Sequence, residues 1–547
     1  MGETPTHIEA TPNIAPETRA RQPAGNPKWL AGAATDGNFT GWLWLLLLVA
    51  LGTFLRFYML GVKSLWLDEA SSVWIVHLRW PEFLRLLWWG EANMALYYFL
   101  LRGWIHLGSS ELWLRSLSAL FGVAAIPATY AFGTRFLGRK VGFMAAALLA
   151  VHSFHIHYSQ DLRSYSLVTL LLILSSYAFL IILETPGRTS SWMLYIASST
   201  LAIYAHVFAA FVLVSQWLVP TPRKIKRLGA NRVLAAAAAM GALIGPIAAV
   251  VVREHKEQLN WVPAMNLAGL LELVEDLLGA GAASSEGTVR GLALLTVYVA
   301  TWVVALVIFF RARRNGAAES ARRMTVPLLV SWFIFPIIAM MGISLSKPIL
   351  YPRYVAMCVP AAVLLAAWGL AAVAESVPRG RWVSAILFLI MAGLTLRGAW
   401  DHYASFKTYG NDWRGVTRYI LSHAQHDDAI VFFTPSGYRE YLYYVERERG
   451  ADTSIPVPVA LFPLPADTSG IQNHTRSYPR VWLVLHQLRS SATTDAQTSV
   501  IRAALESQFP LLAERTFPGS GGERGENGTI RVALYADRHL LGGPYAE

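Results

Sequence analysis

Apolar positions along the chain fall into long blocks rather than alternating with polar ones. Eleven blocks stand out, at about residues 41–60, 112–134, 141–158, 163–183, 191–205, 207–220, 231–252, 290–310, 325–345, 354–373 and 382–400. About 20 consecutive apolar residues in a helix match the hydrocarbon thickness of a bilayer, so the pattern predicts a polytopic membrane protein with about eleven spans. The blocks at 191–205 and 207–220 are short, and this pair reads equally well as one kinked unit. A further apolar run, 94–107 (MALYYFLLRGWIHL), is too short to span and carries Arg102 and His106, which predicts an interfacial or re-entrant helix.

From residue 401 the pattern changes. GNDWRGVTRYILSHA and TSVIRAALESQF have helical periodicity, while DAIVFFT and RVWLVLHQL are short continuous apolar runs of the kind that form buried strands. Pro-rich and Gly-rich connectors (IPVPVALFPLPAD, PGSGGERGENG) separate them, so 401–547 is expected to be a small soluble α/β domain. Residues 1–40 are polar and Pro-rich and read as a disordered tail. They lack the short apolar core of a signal peptide.

Composition agrees. Only 15% of the 547 residues are charged, against about a quarter in soluble proteins, and mean hydropathy is +0.39. The net charge of +11 raises a nucleic-acid partner, but the cations sit in short loops between spans. They cluster at Arg135/Arg139/Lys140, Arg188, Arg223/Lys224/Lys226/Arg227, Arg311/Arg313/Arg314 with Arg322/Arg323, and Arg379/Arg381. Placing all of these in the cytoplasm satisfies the positive-inside rule at every second loop. The tail is then cytoplasmic, and the C-terminal domain lies outside the cytoplasmic membrane. The single Cys358 excludes disulfides within the chain and Cys-based zinc sites.

That orientation gathers the embedded polar groups on the outer side, in loops 63–112, 155–165, 204–206, 253–290 and 344–354. The first holds Asp68 and Glu69, in SLWLDEASSVW. Adjacent helical residues point about 100° apart, so one acid can act as a base while the other orients a neighbour. The plainer reading is a pair of acids at a helix N-terminus, balanced by the dipole and by Lys63 or Arg79. The second loop, HSFHIHYSQDLRSYS, brings Asp161, Arg163 and Tyr165. Asp161 can reach the face of Asp68, and two carboxylates around one cavity suit general-base work or a divalent cation. The alternative is a local Asp161–Arg163 turn. The last loop supplies Lys347, Arg353 and Tyr354, a set that suits either phosphate binding or anchoring at lipid headgroups. His206, between two short spans, and Arg56, inside the first, are further buried polar candidates.

At these residues the chain resembles the polyprenyl-phosphate-dependent membrane glycosyltransferases of the GT-C fold, family 39-like, the relatives of protein O-mannosyltransferases and aminoarabinose transferases. The matching pieces are WLDEA (66–70), MALYYFLL (94–101), LRSLSALFGV (114–123), YSQDLRSYSL (158–167), YAH (204–206) and YPRYV (351–355). The sequence departs from that pattern at Asn93-Met94-Ala95, where the family often has prolines, and at Ala205, where it has Thr. The resemblance implies a sugar moved with inversion from a polyprenyl-phosphate carrier to a hydroxyl on a glycan, lipid or protein. It implies that Asp68 or Glu69 is the catalytic base or an acceptor-binding acid, that Asp161 and Arg163 belong to the active cavity, and that Arg353 holds donor phosphate. The rival class is a lipid or sugar transporter, which would place charges at mid-membrane depth on broken helices in two related halves. No such halves are detectable in the sequence.

Overall fold

A computed structural model of the chain describes residues 2, 39–253, 261–281, 285–314, 320–405, 412–433, 437–462, 468–486, 492–518 and 529–537. Most of the expected tail and most of the glycine-rich connector lie outside the described residues. By internal contact the chain divides into two units, 1–47 and 48–547. The first contributes the opening turns of helix Phe39–Phe57, where Trp42, Trp44 and Leu46 are exposed.

Every apolar block predicted from the sequence holds helix. Among the described residues, seven helices are long and apolar enough to cross a membrane: Glu111–Phe136, Tyr165–Glu184, Ala230–Arg253, Thr288–Ala312, Arg323–Ser344, Pro352–Ser376 and Gly380–Ala404. Helices Arg139–Val151 and Ser153–Gln160 make an eighth if counted together, bent by 56° at His152. The expected count of eleven is therefore not reached by length. Gly41–Phe57 and Thr189–Ala205 have 17 residues each, and Ala209–Trp217 has nine. At 1.5 Å per residue the last rises only about 14 Å, half of a bilayer core. The run at 94–107 forms helix Ala95–Trp104 followed by one 3₁₀ turn, likewise too short to cross.

Helices Pro352–Ser376 and Tyr165–Glu184 form the centre of the bundle, with 94% and 83% of their apolar windows buried. Close approach depends on missing side chains. A Cβ on Gly133 would lie 2.6 Å from the Cα of Gly142, and one on Gly369 only 2.0 Å from the Thr301 carbonyl oxygen. The bend at His152 leaves carbonyls without helical partners. Arg56 supplies them: its guanidinium donates to the oxygens of Leu149 (3.0 Å) and Ala150 (2.9 Å) at the bend and of Gly52 (3.0 Å) in its own helix, and contacts His155 Nδ1 at 2.8 Å. This fully buried arginine is a splint for a broken helix.

The C-terminal region contains a mixed five-stranded sheet: β1 (Asp428–Phe433), β2 (Val459–Leu461), β3 (Arg480–His486), β4 (Leu511–Pro518) and β5 (Thr529–Ala536), in the order β2-β1-β3-β5-β4. β1 pairs in parallel with β2 and β3, while β5 is antiparallel to β3 and β4. β1 and β3 are buried throughout, which is why they read as continuous apolar runs. One face of the sheet carries Ile471, Ile501 and Leu505. Helices Trp413–His423 and Gly437–Arg449 pack together beside it and reach the first loop of the membrane bundle. There Glu111 accepts from Arg414 and from the Tyr444 hydroxyl at 3.2 Å, and forms an ion pair with Arg447 at 3.3 Å. The backbone N–H of Leu65 donates to Tyr444 at 2.8 Å, and Arg439 donates to Ser71 Oγ at 2.9 Å.

Candidate active site

Helix Leu67–His77 begins at Trp66, whose backbone N–H donates to Glu69 Oε2 at 3.3 Å, the reach-back bond of a helix N-terminus. The hundred-degree step between neighbours then separates the two acids. Glu69 turns inward and is 0% exposed, while the side chain of Asp68 is 27% exposed.

Glu69 is held by Arg115 in a fork, Nε to Oε1 at 2.7 Å and Nη2 to Oε2 at 2.6 Å. The remaining Arg115 donors go to the carbonyls of Leu60 (3.0 Å), Lys63 (2.8 Å) and Ser64 (3.0 Å), so all five N–H groups are used. Glu69 Oε1 also accepts from the backbone N–H of Leu162 at 3.0 Å. One carboxylate thus ties the first loop, helix Glu111–Phe136 and the turn after Gln160 into a single frame. Three of the motifs picked out in the sequence converge on it.

Asp68 faces two cations. Arg353 Nη1 donates to its Oδ2 at 3.0 Å, and Arg163 Nη2 lies 3.9 Å from the same oxygen. Arg163 also donates from Nη1 to Ser72 Oγ (3.3 Å), and its buried Nε has no hydrogen-bond partner among the described residues. Arg353 sits within an aromatic enclosure, 4.4 Å from the ring of Trp261, 5.3 Å from Tyr351, 5.6 Å from Tyr354 and 5.8 Å from Trp66. Such rings stabilise a guanidinium without occupying its hydrogen-bonding edge.

Tyr354 continues into a ring stack with His206 (5.4 Å), which lies 6.0 Å from Tyr165. His206 occupies the break between helices Thr189–Ala205 and Ala209–Trp217, and the following turn is fixed by Asn93, whose Oδ1 accepts from Val207 at 3.0 Å. Burial, and then the charges of Arg163 and Arg353, lower the His206 imidazole to about 3, so it is neutral.

The other candidates lie further out. Asp161 is partly buried at the end of helix Ser153–Gln160, in the electrostatic surroundings of Arg115 and Tyr97. It shares a turn with Arg163, whose N–H donates to the Asp161 carbonyl at 2.7 Å. Lys347 is partly buried after helix Ser320–Ser344, and its side chain makes no hydrogen bond or ion pair with a described residue. Among the described residues no three His, Cys, Asp or Glu side chains converge, and the exposed carboxylate is already flanked by two guanidiniums.

Sequence reasoning did not single out Arg115. Arg115 had a signal, since a cation inside an apolar helix demands a partner. Trp261 is one of several tryptophans whose rings could stack on a sugar or line a lipid groove, and its type is equally at home in an interfacial belt.

The fold has counterparts among solved structures. The chain superposes on apo ArnT from Cupriavidus metallidurans with a TM-score of 0.54 at 15% identity, covering 92% of this chain and 99% of that one. The same protein bound to undecaprenyl phosphate gives 0.54 at 14%, covering 91% and 98%. The apo oligosaccharyltransferase of Archaeoglobus fulgidus gives 0.53 at 11%, covering 88% and 74%. The fold is GT-C. No family model and no curated protein sequence matches the chain. On the GT-C frame, the Asp68–Arg353 contact lies where the first loop meets the N-terminal end of a central helix, Pro352–Ser376.

Proposed function

We propose that the protein is a membrane glycosyltransferase that moves a sugar from a polyprenyl-phosphate carrier to an acceptor hydroxyl, at the outer face of the cytoplasmic membrane. The observation that carries this reading is a solvent-accessible carboxylate, Asp68, paired at 3.0 Å with an arginine whose other surroundings are aromatic. A phosphate is the natural competitor for that arginine, because two of its oxygens match the guanidinium edge.

The reaction then runs in order. The donor lipid lies in the bilayer, and its phosphate takes Arg353 and the unpartnered Nε of Arg163. Arg353 is drawn off Asp68, whose carboxylate becomes available to the acceptor. Asp68 accepts the hydroxyl proton as the acceptor oxygen attacks the anomeric carbon. The bond from that carbon to the phosphate oxygen breaks, and the electron pair leaves on polyprenyl phosphate, stabilised by the two arginines. Neutral His206, Tyr165 and Tyr354 line the approach as uncharged surfaces for the donor. Glu69 is the positioning acid: it fixes the backbone of the Asp68 turn through Arg115 and does not meet substrate.

In this reading residues 1–40 form a cytoplasmic tail, 41–400 the transferase domain with its first outer loop at 61–111, and 401–547 an extracytoplasmic domain. The membrane is the inner membrane of a cell envelope. Acceptors are a glycan, lipid or protein, with no nucleic acid involved. The test is a reconstituted assay: purified protein in proteoliposomes, a panel of polyprenyl-phosphate sugars, and mass-spectrometric detection of free polyprenyl phosphate and glycosylated acceptor. A mass-spectrometric search for the glycan lost on deleting the gene identifies the acceptor class. Failure of every donor to bind, while the folded protein is intact, would overturn the proposal.

A further inference from the structure

At the opposite ends of the helices from Asp68 lies a second opening. The turn between helices Glu111–Phe136 and Arg139–Val151, the late part of helix Ser285–Arg314 and the end of helix Val359–Ser376 enclose a crevice of about 320 Å³. Its position follows from the chain: Glu375 is 22 residues beyond Arg353 on nearly continuous helix, about 33 Å away. It is therefore separate from the site described above, across the thickness of a bilayer.

The lining has two characters. Phe309 and Trp368 make an apolar wall, while Arg139, Lys140, Glu375 and Ser376 form a polar rim. Arg139, Lys140 and Glu375 are exposed, and none of the three side chains has a hydrogen bond or ion pair with a described residue. Opposite charges on one rim that do not pair with each other suit a ligand carrying both signs. Arg139 and Lys140 also begin a 13-residue helix, whose dipole favours an anion at the same place.

We propose that this crevice binds an aminophospholipid, with the headgroup phosphate on Arg139 and Lys140, the primary ammonium on Glu375 and an acyl chain against Phe309 and Trp368. The charge pattern selects among lipid classes. A phosphocholine headgroup presents no N–H to Glu375, and a phosphoglycerol headgroup presents no cation at all. Phosphoethanolamine satisfies both halves of the rim. The inference rests on the spanning fold alone and is independent of the glycosyl-transfer reading.

Native mass spectrometry of the full chain tests it, with phosphatidylethanolamine, phosphatidylcholine and phosphatidylglycerol of matched acyl chains supplied in equal amounts. Retention of the ethanolamine lipid is expected to exceed that of either competitor by roughly three- to fivefold, the range of one exposed charge pair. Glu375→Gln should erase its advantage over the choline lipid, and Arg139→Gln with Lys140→Gln should lower retention of all three. The proposal fails if wild-type protein retains no lipid, or holds the choline or glycerol lipid as well as the ethanolamine lipid. It fails equally if either variant leaves the wild-type pattern unchanged. The wild-type comparison needs no substitution, and the substituted side chains are exposed, so misfolding does not cloud the outcome.

Discussion

Asp68 and Arg353 are 285 positions apart in the chain and meet at 3.0 Å. One comes from the first turn of a loop helix, the other from the first turn of a central span. Their contact couples a group suited to accepting a proton with a group suited to accepting a phosphate. In the proposed reaction, donor binding and release of the base are one event.

Asp68→Asn keeps the shape of the side chain and its place beside Arg353 but removes the proton acceptor. Transfer should fall by about 10²- to 10⁴-fold, the usual contribution of a general base, with donor binding retained. Turnover and donor affinity measured on the same proteoliposome preparation check this; wild-type turnover in the variant would falsify the role.

Arg353→Lys retains a positive charge but loses the planar fork and the stacking edge. Donor affinity should weaken by about 10- to 100-fold, the equivalent of one or two charge-assisted hydrogen bonds. A donor titration reads the effect. An unchanged half-saturation point would show that the phosphate sits elsewhere.

Glu69→Gln leaves Arg115 as an uncompensated charge in a buried frame, a change that costs about 3–5 kcal/mol. The expected result is a marked drop in the thermal unfolding midpoint in detergent. Replacing Glu69 and Arg115 together by Met should cost less than Glu69→Gln alone, because no charge is then stranded. If both proteins unfold at the wild-type temperature, the frame has been misassigned.

Glu440 offers a pH test. It lies on helix Gly437–Arg449, is 0% exposed, and among the described residues neither carboxyl oxygen has a hydrogen-bond partner beyond its own backbone. Burial, against the pull of its own backbone N–H and of Arg439 and with a smaller push from Asp68, raises its pKa from 4.5 to about 8. An acid raised on folding gives stability that is fully present below its unfolded value and is lost as pH rises through its folded value. Relative to Glu440→Gln, wild-type protein should therefore lose stability between about pH 4.5 and pH 8, by roughly a few kcal/mol in all. Unfolding midpoints of the two proteins across that range decide it: parallel curves would mean that the carboxyl has found a partner.

The positions of the membrane helices were legible because lipid leaves one option, a run of apolar residues in helical form, and each predicted block holds such a run. β1 and β3 were legible for a related reason, since strands buried on both faces carry no polar interruption. What escaped was whatever depended on partners distant in the chain. Glu69 and Asp68 are neighbours of the same charge, and nothing local says that one meets Arg115 and the other Arg353. Ala209–Trp217 was apolar enough to suggest a span, yet the structure spends nine residues there, too few to cross. β4 and β5 escaped because their Arg and Glu residues weaken the apolar signal that marked β1 and β3.

The grip on Glu111 by Arg414, Tyr444 and Arg447 has a consequence in time. A ribosome delivers the loop carrying Asp68 more than three hundred residues before it delivers these three side chains. Throughout that interval the bundle can insert and Glu69 can find Arg115, but the loop lacks its last fastenings. The loop that holds Asp68 is thus fastened at Glu111 only once Arg414, Tyr444 and Arg447 have been made and folded, so its final shape is the last part of the bundle to be set.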